Sequence, residues 1–163
     1  MRTANQEPWR DIILWVRLFF AFHLIYSGMA YILGGWTPSD MTGELSAPGK
    51  FMVALDQVGM YPFVKYLETL VGFALLFNIG TPIALVAELP VSFTIFFLNL
   101  FAYDGDSARH LFTGPQELLL NVSLMFAYGG YYANMCRVRV KPYWLWDGLK
   151  HNEADPTARL EVR

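Results

Sequence analysis

The chain has 163 residues, of which 55% are hydrophobic, 17% aromatic and only 16% charged, whereas a soluble domain carries about 25% charged residues. That excess of apolar surface has to face lipid, and the net charge of -2 provides no basic face for nucleic acid. The single cysteine, Cys136, excludes an internal disulfide and a cysteine-rich metal site. We therefore predict an all-α membrane protein that contacts the lipid bilayer.

The first predicted element is a membrane span over residues 12–33, preceded by a polar N-terminal segment of residues 1–11. This segment lacks the apolar core of a cleavable signal, so we expect it to be retained. The span is followed by Gly34 and Gly35, which suit a helix stop.

A short amphipathic helix is predicted between the first and second spans. The apolar residues Phe51, Leu55 and Val58 recur there at helical spacing, with charged residues between and beside them. Such a pattern is typical of a helix lying on the membrane surface.

Two long apolar runs follow and predict a membrane hairpin, with span two over residues 62–77 and span three over residues 83–103. One helix across both runs would be about 65 Å long, roughly twice a hydrocarbon core, so the chain must turn. Gly80 and Pro82 mark that turn, and Pro90 is expected to kink span three.

The fourth span is predicted to begin at Gly114 and Pro115, after a polar loop over residues 104–110. The fold class is thus a four-helix transmembrane bundle, with residues 12–135 as the membrane domain and residues 136–163 as a C-terminal tail. Lys and Arg residues fall mainly before span one and after span four, which predicts that both termini are cytoplasmic.

The rise per residue along each span places the polar residues at two depths. Arg17 lies about 8 Å and Glu88 about 10 Å from the cytoplasmic face. We predict a structural ion pair between them, because one Arg and one Glu at one depth lock two helices together more often than they perform chemistry.

The second group of polar residues lies in the outer half of the bundle. It consists of His23, Tyr26, Ser27, Glu68, Glu117 and Asn121, with Lys65, Arg109 and His110 at its rim. In the functional interpretation, Glu68, Glu117 and His23 line an outward-facing cavity and exchange protons or hold the polar head of a lipid-soluble ligand. In the structural interpretation, Lys65 neutralises Glu68, and Glu117 is hydrogen-bonded to Asn121.

Metal chemistry is not predicted. A bis-histidine haem needs two ligands at one depth, whereas His23, His110 and His151 lie at different levels, so no haem is expected on this chain alone. A dimetal carboxylate site needs Glu-x-x-His pairs, which the sequence lacks.

Two stretches resemble the DoxX family of small four-span bacterial membrane proteins. They are RLFFAFHLIYSG, from Arg17 to Gly28, and KYLETLVGFALLFNIG, from Lys65 to Gly80, within a resemblance that covers roughly residues 12–135. The matching positions are Arg17, Ser27, Gly28, Glu68, Gly72 and Gly80. The resemblance implies a bacterial inner (cytoplasmic) membrane and an association with membrane redox systems, including a thiosulfate to quinone oxidoreductase.

The leading functional prediction is an integral subunit of a respiratory or photosynthetic redox complex that handles a quinone-like ligand. Its catalytic, proton-handling residues would be Glu68, His23 and Glu117, and its ligand-binding residues Tyr26, Ser27, Lys65, Asn121, Arg109 and His110. Other membrane-protein subunits are then expected partners. Two alternatives stay open: a structural or assembly subunit without chemistry, and a stand-alone enzyme or transporter for a lipophilic substrate.

Overall fold

Helices make up most of the part of the chain that the structure describes. This computed structural model describes residues 8–35, 37–41, 45–102 and 108–132, the last range with side chains from residue 114 onward. The helices are α1 (Pro8–Gly34), α2 (Ala47–Gln57), α3 (Met60–Phe77), α4 (Thr81–Phe97), α5 (Ala108–Ala127) and α6 (Gly129–Tyr132). A 3-10 turn at Pro38–Asp40 precedes α2, and a π-helical segment, Leu98–Ala102, continues α4.

Three helices in the described ranges are long and apolar enough to cross a membrane: Pro8–Gly34, Met60–Phe77 and Thr81–Ala102. They correspond to the predicted spans one, two and three, and they identify the chain as a membrane protein. A fourth span formed by α5 stays a prediction.

The start of α1 differs from the prediction. The helix begins at Pro8, four residues before the predicted span, because proline suits the first turn of a helix, where its missing N–H would have no intrahelical partner. Its end agrees with the prediction, since Gly35 has a φ of +68° just after Gly34.

The predicted hairpin between α3 and α4 is present. Asn78 (φ +57°) and Gly80 (φ +61°) both adopt the left-handed conformation that reverses the chain, and Pro82 lies in the first turn of α4. The Thr81 hydroxyl donates to Asn78 Oδ1 at 3.0 Å and stabilises the turn.

The predicted start of the fourth helix is wrong. Helix α5 begins at Ala108, within the predicted polar loop, and Pro115 lies inside the helix. An internal proline removes only one intrahelical hydrogen bond, a loss that packing can offset. Close packing is seen at Gly114, where an added Cβ would lie 2.8 Å from Asn99 Cβ.

Helix α1 packs mainly against α3, and α4 against α5. Two glycines let the backbones of α1 and α3 approach: an added Cβ on Gly28 would lie 2.6 Å from the Lys65 carbonyl oxygen, and one on Gly72 would lie 2.7 Å from Ile25 Cγ1. The buried apolar core lies between these helices and consists of Phe20, Ala21, Leu24, Val71, Leu75, Ala84, Leu85 and Leu124.

Candidate functional site

A cavity of about 660 Å³ lies between α2, α3, α4 and the π-helical segment. This volume is within the range of sites for small organic ligands, roughly 300–1,000 Å³. Most of the lining surface is apolar, and Lys65 and Glu68 are its charged residues. Other lining residues include Met52, Leu55, Tyr61, Val91, Ile95 and Asn99.

Local sequence explains how α2 comes to cover this cavity. Ser46 caps the helix by accepting a hydrogen bond from the Gly49 N–H at 3.4 Å, and Pro48 occupies the first turn. Gly59, with a φ of +75°, then reverses the chain into α3. The predicted amphipathic helix is therefore present, and it forms one wall of the cavity.

Lys65 and Glu68 form a buried ion pair at the cavity wall. They lie three residues apart on α3 and so share one helix face. Lys65 Nζ donates to Glu68 Oε1 at 2.9 Å and Oε2 at 2.8 Å, and to Ser27 Oγ of α1 at 2.9 Å. The exposed fraction is 9% for Lys65 and 1% for Glu68, so each charge depends on its partner for solvation.

The pair is also placed to hold a ligand. Lys65 Nζ lies 5.3 Å from the centre of the Tyr61 ring, and both residues line the cavity. An ammonium group beside an aromatic ring gives an apolar cavity one polar position, which fixes the orientation of a ligand.

His23 and Glu117 meet elsewhere in the bundle. His23 Nε2 lies 3.4 Å from Glu117 Oε2, with 35% of the His23 side chain and 7% of the Glu117 side chain exposed. Neither residue lines the cavity. The predicted proton-handling group is thus divided, with Glu68 at the cavity and His23 with Glu117 at the contact between α1 and α5.

The remaining predicted ligand residues separate in the same way. Ser27 contacts the cavity pair through Lys65, whereas Tyr26 is 78% exposed and does not line this cavity. Asn121 is fully buried and donates to Ser92 Oγ at 3.3 Å instead of bonding Glu117. The side chains of Arg109 and His110 lie outside the described residues.

The predicted ion pair between Arg17 and Glu88 is not formed in the described part of the chain. Arg17 Nη1 instead donates to the Tyr128 hydroxyl at 3.3 Å, and that hydroxyl donates to Asn78 Oδ1 at 3.0 Å. Arg17 is therefore linked to the α3–α4 turn through the Tyr128 hydroxyl. Glu88 lies about two helical turns after the start of α4 at Thr81.

Glu88 belongs with the other acidic residues. It is completely buried, and neither carboxyl oxygen has a hydrogen-bond partner among the described residues. Glu68 and Glu117 are buried as well, with 1% and 6% of their surface exposed. Glu117 Oε1 and Asn121 Oδ1 are also buried without a partner in the described ranges.

Several residues of this site were absent from the predictions. Thr94 and Asn99 line the cavity, and Ser92 bonds Asn121. The spacing gives one usable signal: Ser92 follows Glu88 by four residues and shares its helix face. In the described part of the chain, no group of three or more His, Cys, Asp or Glu side chains could hold a metal ion.

Comparison of the chain with protein-family models, curated proteins and solved structures finds no match.

Proposed function

We propose that the protein is an integral membrane subunit of a redox complex that holds a quinone-like ligand in the cavity between α2, α3 and α4. The observation that carries the proposal is the buried Lys65–Glu68 pair at the wall of a mostly apolar cavity. A quinone has the matching chemistry, since its ring and tail are apolar and its carbonyl oxygens accept hydrogen bonds. The redox assignment itself rests on the resemblance to the DoxX family.

In this proposal Lys65 donates a hydrogen bond to a quinone carbonyl oxygen. Its ammonium group has three donors, and the pair geometry lets it turn one of them from Glu68 or Ser27 toward the ligand. Quinone reduction consumes protons, and a carboxylate beside the ammonium group can pass a proton on. The electrons come from a partner subunit of the complex.

His23 and Glu117 have a separate role in the proposal. Their contact faces the α1–α5 side of the bundle, where His23 is partly exposed. There the imidazole and the carboxylate can hand on a proton, or they can join two helices.

Binding of a short-chain ubiquinone analogue to the purified protein in detergent tests the proposal, with quenching of tryptophan fluorescence as the signal. Glu68→Gln and Leu55→Trp, the second of which fills the cavity, should each weaken binding at least about tenfold, or about 1.4 kcal/mol. Leu119→Trp is the matched control, because Leu119 is 65% exposed and does not line the cavity. Equal affinity in all four proteins would refute the proposal.

A structural or assembly subunit is the second candidate. The three hydrogen bonds of Lys65 already go to both oxygens of Glu68 and to Ser27 of α1, and the bond to Ser27 joins α3 to α1. A protein with no affinity for the quinone analogue, but with normal assembly into its complex, would favour this candidate.

We also propose that the protein lies in a bacterial inner membrane with both termini cytoplasmic. Arg17 supports this orientation, because Tyr128 links its positive charge to the α3–α4 turn, at the end of the bundle from which α1 begins. Cys136, the single cysteine, should resist a membrane-impermeant maleimide in spheroplasts and react after lysis. Labelling of Cys136 in intact spheroplasts would contradict the proposed orientation.

A further inference from the structure

The cavity between α2, α3 and α4 is open on one side. Its charged residues lie at a closed inner end, since only 9% of Lys65 and 1% of Glu68 is exposed. Six other lining residues are exposed at the protein surface, four on or beside α2 and two on α4: Met41, Ser46, Phe51, Met60, Pro90 and Thr94. The cavity therefore has a polar inner end and an open rim between α2 and α4.

The α4 side of this rim lies in the middle of a membrane-spanning segment. Pro90 and Thr94 follow the first residue of α4, Thr81, by nine and thirteen residues, or about 14 and 20 Å at the rise of an α-helix. The whole span, Thr81–Ala102, has 22 residues and is about 33 Å long, close to the thickness of a hydrocarbon core. Both rim residues thus lie at the depth of lipid tails, whichever end of the bundle is cytoplasmic.

The polar groups on this side of the rim are satisfied within α4. Thr94 Oγ1 donates to the Pro90 carbonyl oxygen at 2.8 Å, and Pro90 itself has no backbone N–H. A polar group without a partner is costly in hydrocarbon, whereas water would satisfy it at little cost. The pairing of Thr94 with Pro90 therefore suits a rim that contacts lipid tails.

We infer that the opening between α2 and α4 leads sideways into the bilayer, and that the ligand enters from the lipid phase and leaves its apolar tail in the opening. This inference rests on the proposed function for the identity of the ligand and adds its route and the position of its tail. The buried end at Lys65 receives the polar head. A cavity of about 660 Å³ matches a drug-sized molecule, so a longer tail has to pass the rim and extend into lipid.

The direction of the opening can be tested without a quinone, on nitroxide spin labels in phosphatidylcholine vesicles. Cys136, the single cysteine, is replaced by serine, and labels are attached to cysteines placed at Thr94, Phe93 and Lys50 in separate variants. Phe93 is the lipid reference, because it is 55% exposed, does not line the cavity and lies at nearly the same depth. Lys50, exposed on α2, is the water reference.

Collisions of each label with oxygen and with a water-soluble nickel chelate distinguish lipid from water. The Thr94 label should match the Phe93 label, with a nickel collision rate at least about fivefold below that of the Lys50 label. A nickel collision rate at Thr94 as high as at Lys50 would overturn the inference, because the opening would then lead to water.

The position of the tail is tested by narrowing the opening. Thr94→Phe should weaken binding of a decyl-tailed ubiquinone analogue at least about fivefold more than binding of the tailless ring. Val86→Phe is the matched control and should not distinguish the two analogues, because Val86 is 39% exposed on α4 and does not line the cavity. Equal losses for both analogues in Thr94→Phe would contradict a tail in the opening. Lipid-like collision rates at Thr94 without affinity for either analogue would refute the proposed function alone.

Discussion

Replacement of Lys65 by methionine should destabilise the protein strongly, because Glu68 would be left as a buried, unpaired charge. Lys65 Nζ lies 2.8 Å from Glu68 Oε2. With an effective dielectric constant of about 20, the gross attraction over that distance is about 6 kcal/mol. Desolvation of both groups offsets part of it, and removal of one partner from a buried pair costs about 3–5 kcal/mol.

The double change Lys65→Met and Glu68→Leu should recover most of that loss, since no charge is left buried. Unfolding by SDS titration in mild detergent, followed by circular dichroism, measures both values. Lys50→Met, at an exposed position on α2, is the control and should have little effect. A double variant as unstable as Lys65→Met alone would refute the reasoning, because the cost would then not come from the unpaired charge.

Two further predictions use the same titration. Gly72→Ala should cost about 1–3 kcal/mol, because its Cβ would press against Ile25 on α1, whereas Gly130→Ala, with open space around it, should be neutral. Tyr128→Phe should cost about 1–2 kcal/mol, because its hydroxyl joins Arg17 to the α3–α4 turn, whereas the exposed Tyr131 should tolerate the same change. Equal effects within either pair would contradict the contacts described.

The sequence was sufficient to predict the helices that depend on local signals. Long apolar runs require spans, and a turn between two of them is dictated by length and marked by Gly80 and Pro82. The spacing of Lys65 and Glu68 placed them on one face, and their ion pair was one of the two interpretations that it allowed. In contrast, Pro115 indicated a helix start that packing overrides.

The arrangement of the polar residues was harder to predict, because helical rise gives the height of a Cα atom but neither the rotation of the helix nor the reach of its side chains. Arg17 extends to Tyr128, so it does not meet Glu88. Tyr26, placed at the same depth as His23, faces outward. A cavity at Glu68 was predicted, but its lining was not, since that depends on how α2 packs against α3 and α4, a tertiary contact that local sequence does not specify.

The central claim is that the cavity holds a quinone-like ligand with its polar head at Lys65. An experimental structure of the protein with a bound short-chain ubiquinone analogue tests it most directly. We predict ligand density between α2, α3 and α4, with a carbonyl oxygen within hydrogen-bond distance of Lys65 Nζ. Density beside His23 at the α1–α5 contact, or an empty cavity at saturating analogue, would contradict it.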